Sequence, residues 1–289
     1  MSTTSMSINI AIQKSGRLHD DTIALLRSAG LRVDKSKDQL KAEVRGFDAS
    51  VYFLRNSDIP KYLEDGVADL AVLGENTILE KQADVSIREK LGFSKCRLSI
   101  AVPKGTSYPG MDWLKGKKIA TSYPNTLQQY LSDHGIDAQM HLISGSVEIA
   151  PGIGLADAIC DLVSSGSTLF KNGLEEKEII LRSEAVLATN RDLNPKKEQL
   201  IEEFLFRIRA VQKGRQNRYV LMNVPNDKIA AVSGVLPVLK SPTVLPLVEE
   251  GWSSLHSVIS ENDFWSVISE LKHLGAEDIL VVPIDKMVV

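Results

Sequence analysis

Short apolar runs alternate with helical patterns through the first two-thirds of the chain. Five runs are predicted to be buried strands: Ile8–Ile12, Leu70–Leu73, Leu98–Val102, Lys118–Thr121 and Ala158–Val163. Helical patterns lie between or after them, at Asp20–Ala29, Ile59–Glu64, Leu127–His134 and Ser167–Asn172. Because strands that alternate with helices over short connections form parallel sheets covered on both faces, the pattern predicts an α/β fold.

Two segments are predicted to connect one lobe of this fold with another. The loop Pro103–Gly110 is rich in proline and glycine, which favours a crossing between lobes. A second crossing is predicted near Arg182–Ser183, before the apolar strand Ala185–Ala188. We therefore expect a first lobe of residues 1–103 and 183–213 and a second lobe of residues 104–182.

A short internal echo links segments 68–77 and 156–168. In each, an Ala-Asp pair leads an apolar strand into a turn with glycine and then a helix. Two lobes with equivalent turns facing one cleft would explain the echo, because such turns are where α/β sheets bind ligands. The match is short and needs a two-residue insertion, so coincidence stays an equal alternative.

The last third of the chain has a different pattern. Apolar residues at positions 200, 201, 204, 205, 208 and 211 predict one face of a long helix between about Lys196 and Gln212. The polar run Lys213–Asn217 is interpreted as a linker. Six further elements follow in the order β-α-β-β-α-β: Tyr219–Val224, Asp227–Leu236, Thr243–Leu247, Leu255–Ile259, Asn262–Leu274 and Ile279–Ile284. This order predicts a ferredoxin-like third domain.

Composition narrows the class of protein. The 289 residues are 43% hydrophobic and 25% charged with a net charge of −3, which is ordinary for a globular protein and gives no general attraction to nucleic acid or anionic membranes. Cys96 and Cys160 lack metal-ligand spacing and are expected to be core residues. The first residues lack a signal-peptide pattern, and no apolar stretch approaches the roughly 20 residues of a membrane span. The expected compartment is the cytoplasm.

The segment Gly145–Leu169 carries the clearest chemical signal. Asp161 interrupts an apolar strand, where a carboxylate is costly unless it is bonded or reaches a site. The run Ser164–Thr168 follows at the start of a helix, where small residues let backbone N–H groups face an anion. A phosphate cradle beside acids that can bind ribose hydroxyls suggests a phosphorylated sugar. The alternative is that the run only caps a helix and Asp161 pairs with a lysine.

This segment resembles the donor-binding signature of the ATP phosphoribosyltransferase family, E-x-A-P-x-x-G-x-A-D-A-I-x-D-x-V-x-S-G-x-T-L. Further matches follow in order through the chain: Gln13–Leu18, Asp58–Pro60, Asp69–Asn76, Cys96–Ser99, Ala120–Asn125, Ser241–Thr243 and Ile279–Lys286. The resemblance implies a two-lobed, periplasmic-binding-protein-like (type II) catalytic core and an ACT-like, ferredoxin-like regulatory domain at residues 217–289. The third domain is typical of the long, hexameric form that histidine inhibits.

The resemblance implies a reaction in which N1 of ATP attacks C1 of 5-phosphoribosyl diphosphate (PRPP) and releases diphosphate, with Mg²⁺ bound to PRPP and diphosphate. Its site residues are carried over by position. For PRPP they are Glu148, Asp157, Asp161, Ser164, Ser165, Gly166, Ser167 and Thr168. For ATP and phosphate they are Lys14, Gly16, Arg17, Asp69, Gly74, Glu75 and Tyr123. For histidine they are Asn223, Leu239, Ser241, Thr243, Val258 and Asp278.

No general acid or base is assigned, because adenine N1 has a free lone pair at neutral pH, and no protein metal ligand is assigned. Without the resemblance, Lys14 and Arg17 would be interpreted as solvated cations and Tyr123 as a packed side chain. Asn223 is an amide where some relatives have an acid, which leaves its hold on the histidine ammonium open. Two other functions are weighed: a ligand-sensing two-lobed binding protein without chemistry, and a different phosphoribosyltransferase with the same donor.

Overall fold

The computed structural model describes residues 7–34, 36, 39–236 and 241–288. The chain divides into two compact units, one of residues 1–27 and 31–202 and the other of residues 28–30 and 203–289. Within the described ranges, no helix is long and apolar enough to cross a membrane.

The first unit alternates strands and helices. Its elements are β1 (Ile8–Gln13), α1 (Arg17–Ser28), β2 (Arg32–Val33), β3 (Lys41–Arg45), β4 (Ala49–Leu54), α2 (Ile59–Glu64), β5 (Leu70–Gly74), α3 (Glu75–Lys81), β6 (Ser86–Lys90), β7 (Cys96–Pro103), β8 (Lys118–Thr121), α4 (Pro124–Asp133), β9 (Gln139–Leu142), β10 (Ala158–Val163), α5 (Ser167–Lys171), β11 (Leu174–Ser183) and β12 (Ala185–Thr189). Helix α6 (Pro195–Arg215) follows, and the boundary between the two units falls within it.

The strands form two sheets that share one plan. The first sheet has the order β2-β3-β4-β1-β5-β12-β6 and the second has the order β11-β7-β10-β8-β9. In each, three parallel strands are followed by one antiparallel strand that arrives from the other sheet, β12 in the first and β7 in the second. This repeated plan confirms the two-lobed α/β core of the periplasmic-binding-protein-like kind.

Buried apolar strands explain why each lobe is stable. Strand β1 has Ile8, Ile10, Ala11 and Ile12 without exposed surface, as expected of a parallel strand covered on both faces. In the second lobe, Leu98 and Ile100 of β7 pack with Cys160 of β10 in one cluster. Cys160 is therefore a core residue, as predicted, whereas Cys96 is only half buried.

The echo between the two sequence segments corresponds to equivalent strands. Strand β5 and strand β10 are each the third of the three parallel strands of their lobe in chain order, and each lies between the first of these strands and the antiparallel strand from the other sheet. Both lead into a helix, α3 after β5 and α5 after β10. The echo therefore reflects two lobes with the same topology rather than coincidence.

One predicted crossing lies elsewhere. Strand β7 pairs with β10 and β11, so the chain passes into the second lobe at residues 91–95, before β7, and not at Pro103–Gly110. The loop after β7 stays in the second lobe, where the Lys104 N–H donates to the Gly173 carbonyl at 2.7 Å. The second crossing lies between Ser183 and Ala185, where it was expected.

The second unit has the predicted β-α-β-β-α-β order. Its elements are β13 (Asn217–Pro225), α7 (Ile229–Val235), β14 (Thr243–Pro246), β15 (Trp252–Ser260), α8 (Glu261–His273) and β16 (Glu277–Pro283). The sheet order is β14-β15-β13-β16 with every pair antiparallel, which confirms the ferredoxin-like fold. One face of the sheet packs on the helices through residues such as Val220, Leu255 and Leu271.

The predicted linker Lys213–Asn217 is wrong. Helix α6 continues to Arg215 and β13 begins at Asn217. Gly214 lies where a Cβ atom would be 2.7 Å from the Ile284 carbonyl oxygen, so the terminal segment packs directly on this turn of the helix. A glycine that marks close packing was therefore interpreted as a flexible linker residue.

Candidate active site

A cavity of about 390 Å³ lies where the strand ends of the two lobes meet. The lining residues follow strand ends or belong to the segments that join the lobes: Gln13, Arg17, Leu18, Asn56, Gly74, Asn76, Ser94, Lys95, Cys96, Leu162, Ser164 and Ala185. The carboxyl ends of β1, β4, β5 and β10 thus face one space, which is where open α/β sheets bind ligands. Two of the lining residues, Arg17 and Lys95, are cations, so the cavity suits an anion.

The run Ser164–Thr168, called the phosphate loop from here on, reaches this cavity through Ser164. The Arg17 guanidinium of the first lobe donates to Ser164 Oγ at 3.1 Å. Gly166 has φ +80° with nothing near the position of a Cβ, so glycine is needed for its backbone conformation rather than for space. The following helix α5 has only five residues, so its dipole adds less to anion binding than the sequence argument assumed.

Hydroxyl groups dominate the phosphate loop. Ser165 Oγ and Ser167 Oγ lie 3.0 Å apart, and the Ser167 N–H points to Ser165 Oγ at 3.4 Å. Ser164, Ser165, Ser167 and Thr168 are all exposed. The loop therefore presents several hydroxyl groups to solvent within one short segment, as a phosphate-binding loop requires.

Three further side chains predicted for the site gather beside β10. Asp161 is half buried, and both its burial and the charge of Glu148 raise the pKa of its carboxyl group. The Leu162 N–H donates to Asp161 Oδ1 at 2.8 Å and opposes that rise. Burial also raises the pKa of Tyr123, with Asp161 as the next cause. Glu148, Asp161 and Tyr123 thus form one polar group on the second lobe.

Two predicted site acids lie at the other edge of the sheets. Asp157 precedes β10, and its carboxylate accepts the Lys118 N–H at 2.9 Å. Asp69 precedes β5, and its carboxylate accepts the Asn9 N–H at 2.9 Å and pairs with Lys197 at 2.7 Å. A strand of five or six residues separates each acid from the cleft, a distance of roughly 15–20 Å. The structure therefore does not bring Asp157 or Asp69 to the cavity, where the sequence analysis expected them to meet ribose and ATP.

The loop after β1 is close to the cavity. Its Lys14 N–H donates to the Leu54 carbonyl at 2.8 Å, which fixes the loop beside the end of β4. Gly16 has φ +92°, a conformation that favours glycine. Arg17 begins α1 and reaches the phosphate loop, as described above. Arg17 thus lines the cavity, and Lys14 and Gly16 belong to the same loop after β1.

At the end of β5 the structure separates the predicted residues. Gly74 lines the cavity, but Glu75 is turned toward β6, where it accepts from Lys90 at 3.2 Å. Asn76 lines the cavity instead, and its Oδ1 accepts from Ser183 Oγ at 3.0 Å. Asn56 was missed because strand β4 was not recognised, although its run Val51–Leu54 carried an apolar signal.

The residues predicted to bind histidine are spread over the sheet of the second unit. Asn223 and Asp278 are together, with the amide donating to Asp278 Oδ2 at 3.1 Å. Val258 lies opposite Tyr219, and Thr243 lies on the far strand β14, two strands from Asn223. Ser241 is exposed just before β14. Leu239 lies outside the described residues.

The fold and the cavity define a two-lobed α/β core, whose cleft is lined by two cations and several uncharged polar side chains, together with a ferredoxin-like module. The family model described as ATP phosphoribosyltransferase matches residues 55–210, and the model described as HisG, C-terminal domain, matches residues 214–286. The chain belongs to the ATP phosphoribosyltransferase family, a family of pentosyltransferases, and has its long form.

Individual relatives agree with this family. The ATP phosphoribosyltransferase of Bacteroides thetaiotaomicron is 50% identical over 98% of this chain and 100% of its own length. That of Cytophaga hutchinsonii is 52% identical over 97% of this chain and 98% of its own. A solved structure titled as the ATP phosphoribosyl transferase (HisG:HisZ) complex from Thermotoga maritima has a TM-score of 0.61 and 30% identity, and covers 70% of this chain and 96% of that chain.

Proposed function

We propose that this chain transfers the 5-phosphoribosyl group of PRPP to N1 of ATP, which gives N1-(5-phosphoribosyl)-ATP and diphosphate and begins histidine biosynthesis. The observation that carries the proposal is the bond between Arg17 of the first lobe and Ser164 of the phosphate loop, at the edge of one cavity. A site that joins a cation of one lobe to a phosphate loop of the other suits a donor with phosphates at both ends.

The donor half of the site is assigned to the second lobe. The phosphate loop holds the 5-phosphate through its hydroxyl groups and backbone N–H groups. Asp161 and Glu148 accept hydrogen bonds from the ribose hydroxyls. Burial and the charge of Glu148 raise the pKa of Asp161, and hydrogen bonds donated by ribose hydroxyls would offset the cost of its buried charge.

The chemical step needs orientation and charge stabilisation rather than a base. The bond between C1 and the diphosphate oxygen breaks, and a bond between C1 and adenine N1 forms with the free electron pair of that nitrogen. The positive charge that develops on the ribose is stabilised by the nearby carboxylates, and the charge of the departing diphosphate by Lys14 and Arg17. Tyr123 and Gly74 are assigned to the acceptor nucleotide.

Mg²⁺ is proposed to arrive with PRPP. Among the described residues, no three His, Cys, Asp or Glu side chains converge as a metal site. Mg²⁺ usually keeps several waters and binds through substrate phosphates and one or two carboxylates, and the repelling pair Asp161 and Glu148 fits that role. When bound, the ion would supply neutralisation of charge on the diphosphate.

The second unit is proposed to bind histidine as a feedback inhibitor at contacts between subunits of a homo-oligomer, from dimer to hexamer. The pair Asn223 and Asp278 supports a site for an ammonium group, because Asp278 supplies the acid that Asn223 lacks. The cytoplasm remains a prediction from the sequence.

The test is an assay with ATP, PRPP and Mg²⁺, with and without histidine. We expect release of diphosphate, an absorbance change at the adenine-adduct band, and inhibition by histidine. Binding of ATP or PRPP without turnover would favour the ligand-sensing alternative. Turnover of PRPP with another base but not with ATP would favour a different phosphoribosyltransferase.

A further inference from the structure

Arg97, at the start of β7, contacts the backbone of the phosphate loop. Its Nη1 donates to the Ser164 carbonyl oxygen at 3.0 Å. Its Nε and Nη2 donate to the two carboxylate oxygens of Glu176 at 2.5 and 2.6 Å. Ser99 Oγ also donates to Glu176 Oε1, at 2.6 Å. One guanidinium thus connects strand β11 to the first residue of the phosphate loop.

The contact between Arg97 and the Ser164 carbonyl fixes the direction of the next N–H group in the loop, that of Ser165. The Ser164 carbonyl and the Ser165 N–H belong to one planar peptide group and point in opposite directions. With the carbonyl held toward Arg97, the Ser165 N–H is directed away from Arg97. Ser164 is held at a second point as well, because its hydroxyl accepts from Arg17. The orientation of the first peptide group of the loop therefore depends on Arg97.

Glu176 in turn fixes the guanidinium. The pair is bidentate, which holds the guanidinium plane in one orientation, and both side chains are only 24% exposed. Ser99 Oγ is a further donor to Glu176 Oε1, the oxygen that Arg97 Nε also contacts. Arg97 is also the largest cause of the lowered pKa of Glu176, so the pair is ionised at neutral pH. Because Glu176 offsets the charge of Arg97, the pair contributes orientation more than net charge.

We propose that Arg97 is a positioning residue for the donor phosphate: held by Glu176 and Ser99, it sets the first peptide group of the phosphate loop. This inference rests on the transferase function proposed above. Arg97 is assigned no contact with substrate and acts through Ser164.

Glu176→Gln provides a test because a positioning role and simple electrostatics predict opposite changes in the KM for PRPP. Removing a negative charge near an anionic donor would by itself lower the KM for PRPP. Loss of the bidentate pair frees Arg97 and disorders the loop, which we expect to raise the KM for PRPP roughly tenfold. The KM for ATP should stay within about twofold. Arg97→Lys keeps the charge but not the planar fork, and should raise the KM for PRPP in the same way.

The first lobe offers matched controls. Arg88 is 20% exposed and donates to Glu198 at 2.6 Å, with Glu202 as a second partner. Arg88→Lys and Glu198→Gln break an ion pair of the same type away from the loop. These controls should leave the KM for PRPP unchanged even if they lower the melting temperature.

The outcomes separate this proposal from the proposed function. A wild-type enzyme that releases no diphosphate would contradict the transferase function, and calorimetric binding of PRPP would then replace KM in the comparison. An active wild type with an unchanged or lowered KM for PRPP in Glu176→Gln would overturn the positioning role. If Glu176→Gln does not fold, Ser99→Ala removes one bond to Glu176, and an unchanged KM for PRPP in that variant would overturn it equally.

Discussion

At the scale of single residues, the position of an acid along its strand distinguishes one that stabilises the fold from one that lies near the candidate site. Asp157 and Asp161 flank or interrupt the same strand β10 four residues apart. Asp157 accepts a backbone N–H at the far edge of the sheet, as Asp69 does in the first lobe. Asp161 lies nearer the cleft, half buried and close to Glu148. The same Ala-Asp motif therefore marks a strand start in both lobes.

This contrast gives a prediction with its own control. Asp161→Asn should lower the affinity for PRPP at least tenfold and the affinity for ATP much less, because the lost charge-assisted bonds go to ribose hydroxyls. Asp157→Asn should leave PRPP affinity unchanged and lower the free energy of unfolding by about 1 kcal/mol, through its weaker bond to the Lys118 N–H. Calorimetry and urea unfolding measure the two effects. Equal loss of PRPP and ATP affinity in Asp161→Asn would contradict the ribose assignment.

The pKa of Asp161 also predicts a pH dependence of stability. Because its pKa is higher in the folded than in the unfolded chain, the folded state binds the proton more tightly between the two values. The contribution of Asp161 to stability is therefore greatest at low pH and falls as pH rises through this window. The stability of Asp161→Asn should not fall with rising pH in this way, because the variant has no carboxyl group to ionise at this position. Its melting temperature should therefore exceed that of the wild type at neutral pH. Melting curves with parallel pH dependence in the two proteins would contradict this.

At the scale of elements, the sequence predicts most of the buried strands but misses the buried strand β4 and the half-exposed strand β11. Strands β1, β5, β8 and β10 are apolar runs and were located. Strand β11 has the sequence LEEKEIILRS at the edge of its sheet, with most residues only partly buried, so its apolar run is only three residues long, Ile179–Leu181. Strand β7 was found but placed in the wrong lobe. Its lobe is decided by its pairing with β10 and β11, which lie far along the chain and leave no local signal in the sequence of β7.

The same limit applies to the site. Ser164 could be predicted from the order of elements, because it follows a recognised strand, whereas Arg17 was assigned only through the family resemblance. Arg97 could not, because its role depends on Glu176, which lies on the unrecognised strand β11. Asn56 was missed for the same reason, since β4 was not recognised.

One contact between elements joins the lobes. Glu80, at 7% exposure, lies in the last turn of α3 and accepts from the N–H groups of Asn125 and Thr126, in the first turn of α4, at 3.1 and 3.0 Å. Its Oε2 also accepts from Thr126 Oγ1 at 2.8 Å. Tyr123 precedes this helix without capping it. A carboxylate of the first lobe thus caps a helix of the second, where the helix dipole favours negative charge.

We expect Glu80→Gln to lower the free energy of unfolding by roughly 1–3 kcal/mol, because a carboxamide has one acceptor oxygen and its amino group would face a buried N–H. Urea unfolding measures the effect. Asp133→Asn, at the end of α4, is the control. Asp133 accepts from Gln129 at an exposed position, so this change should alter the free energy of unfolding by less than about 0.5 kcal/mol. Equal stability of the two variants would show that the cap contributes nothing.

At the scale of the whole molecule, the site belongs to neither lobe alone. In the proposed site, the first lobe supplies Lys14, Arg17 and Asn76, and the second supplies Asp161 and the phosphate loop. Both sets follow strand ends of sheets with the same plan, so a repeated topology has become two chemically different halves of one cleft. The second unit has its own core and a polar pair, Asn223 and Asp278, to which histidine binding is assigned in the proposed function.

The proposed regulation gives a prediction that tests the second unit without truncating the chain. Asp278 has φ +47°, a conformation that asparagine also tolerates, so Asp278→Asn changes the charge with little backbone strain. Loss of the carboxylate should weaken histidine binding roughly tenfold or more and leave turnover without histidine unchanged.

Because coupling of binding is reciprocal, saturating PRPP should change histidine affinity in the wild type by the factor with which histidine changes PRPP affinity. Calorimetric titration of histidine with and without PRPP measures that factor. Full inhibition of Asp278→Asn at the wild-type histidine concentration would place the histidine site elsewhere.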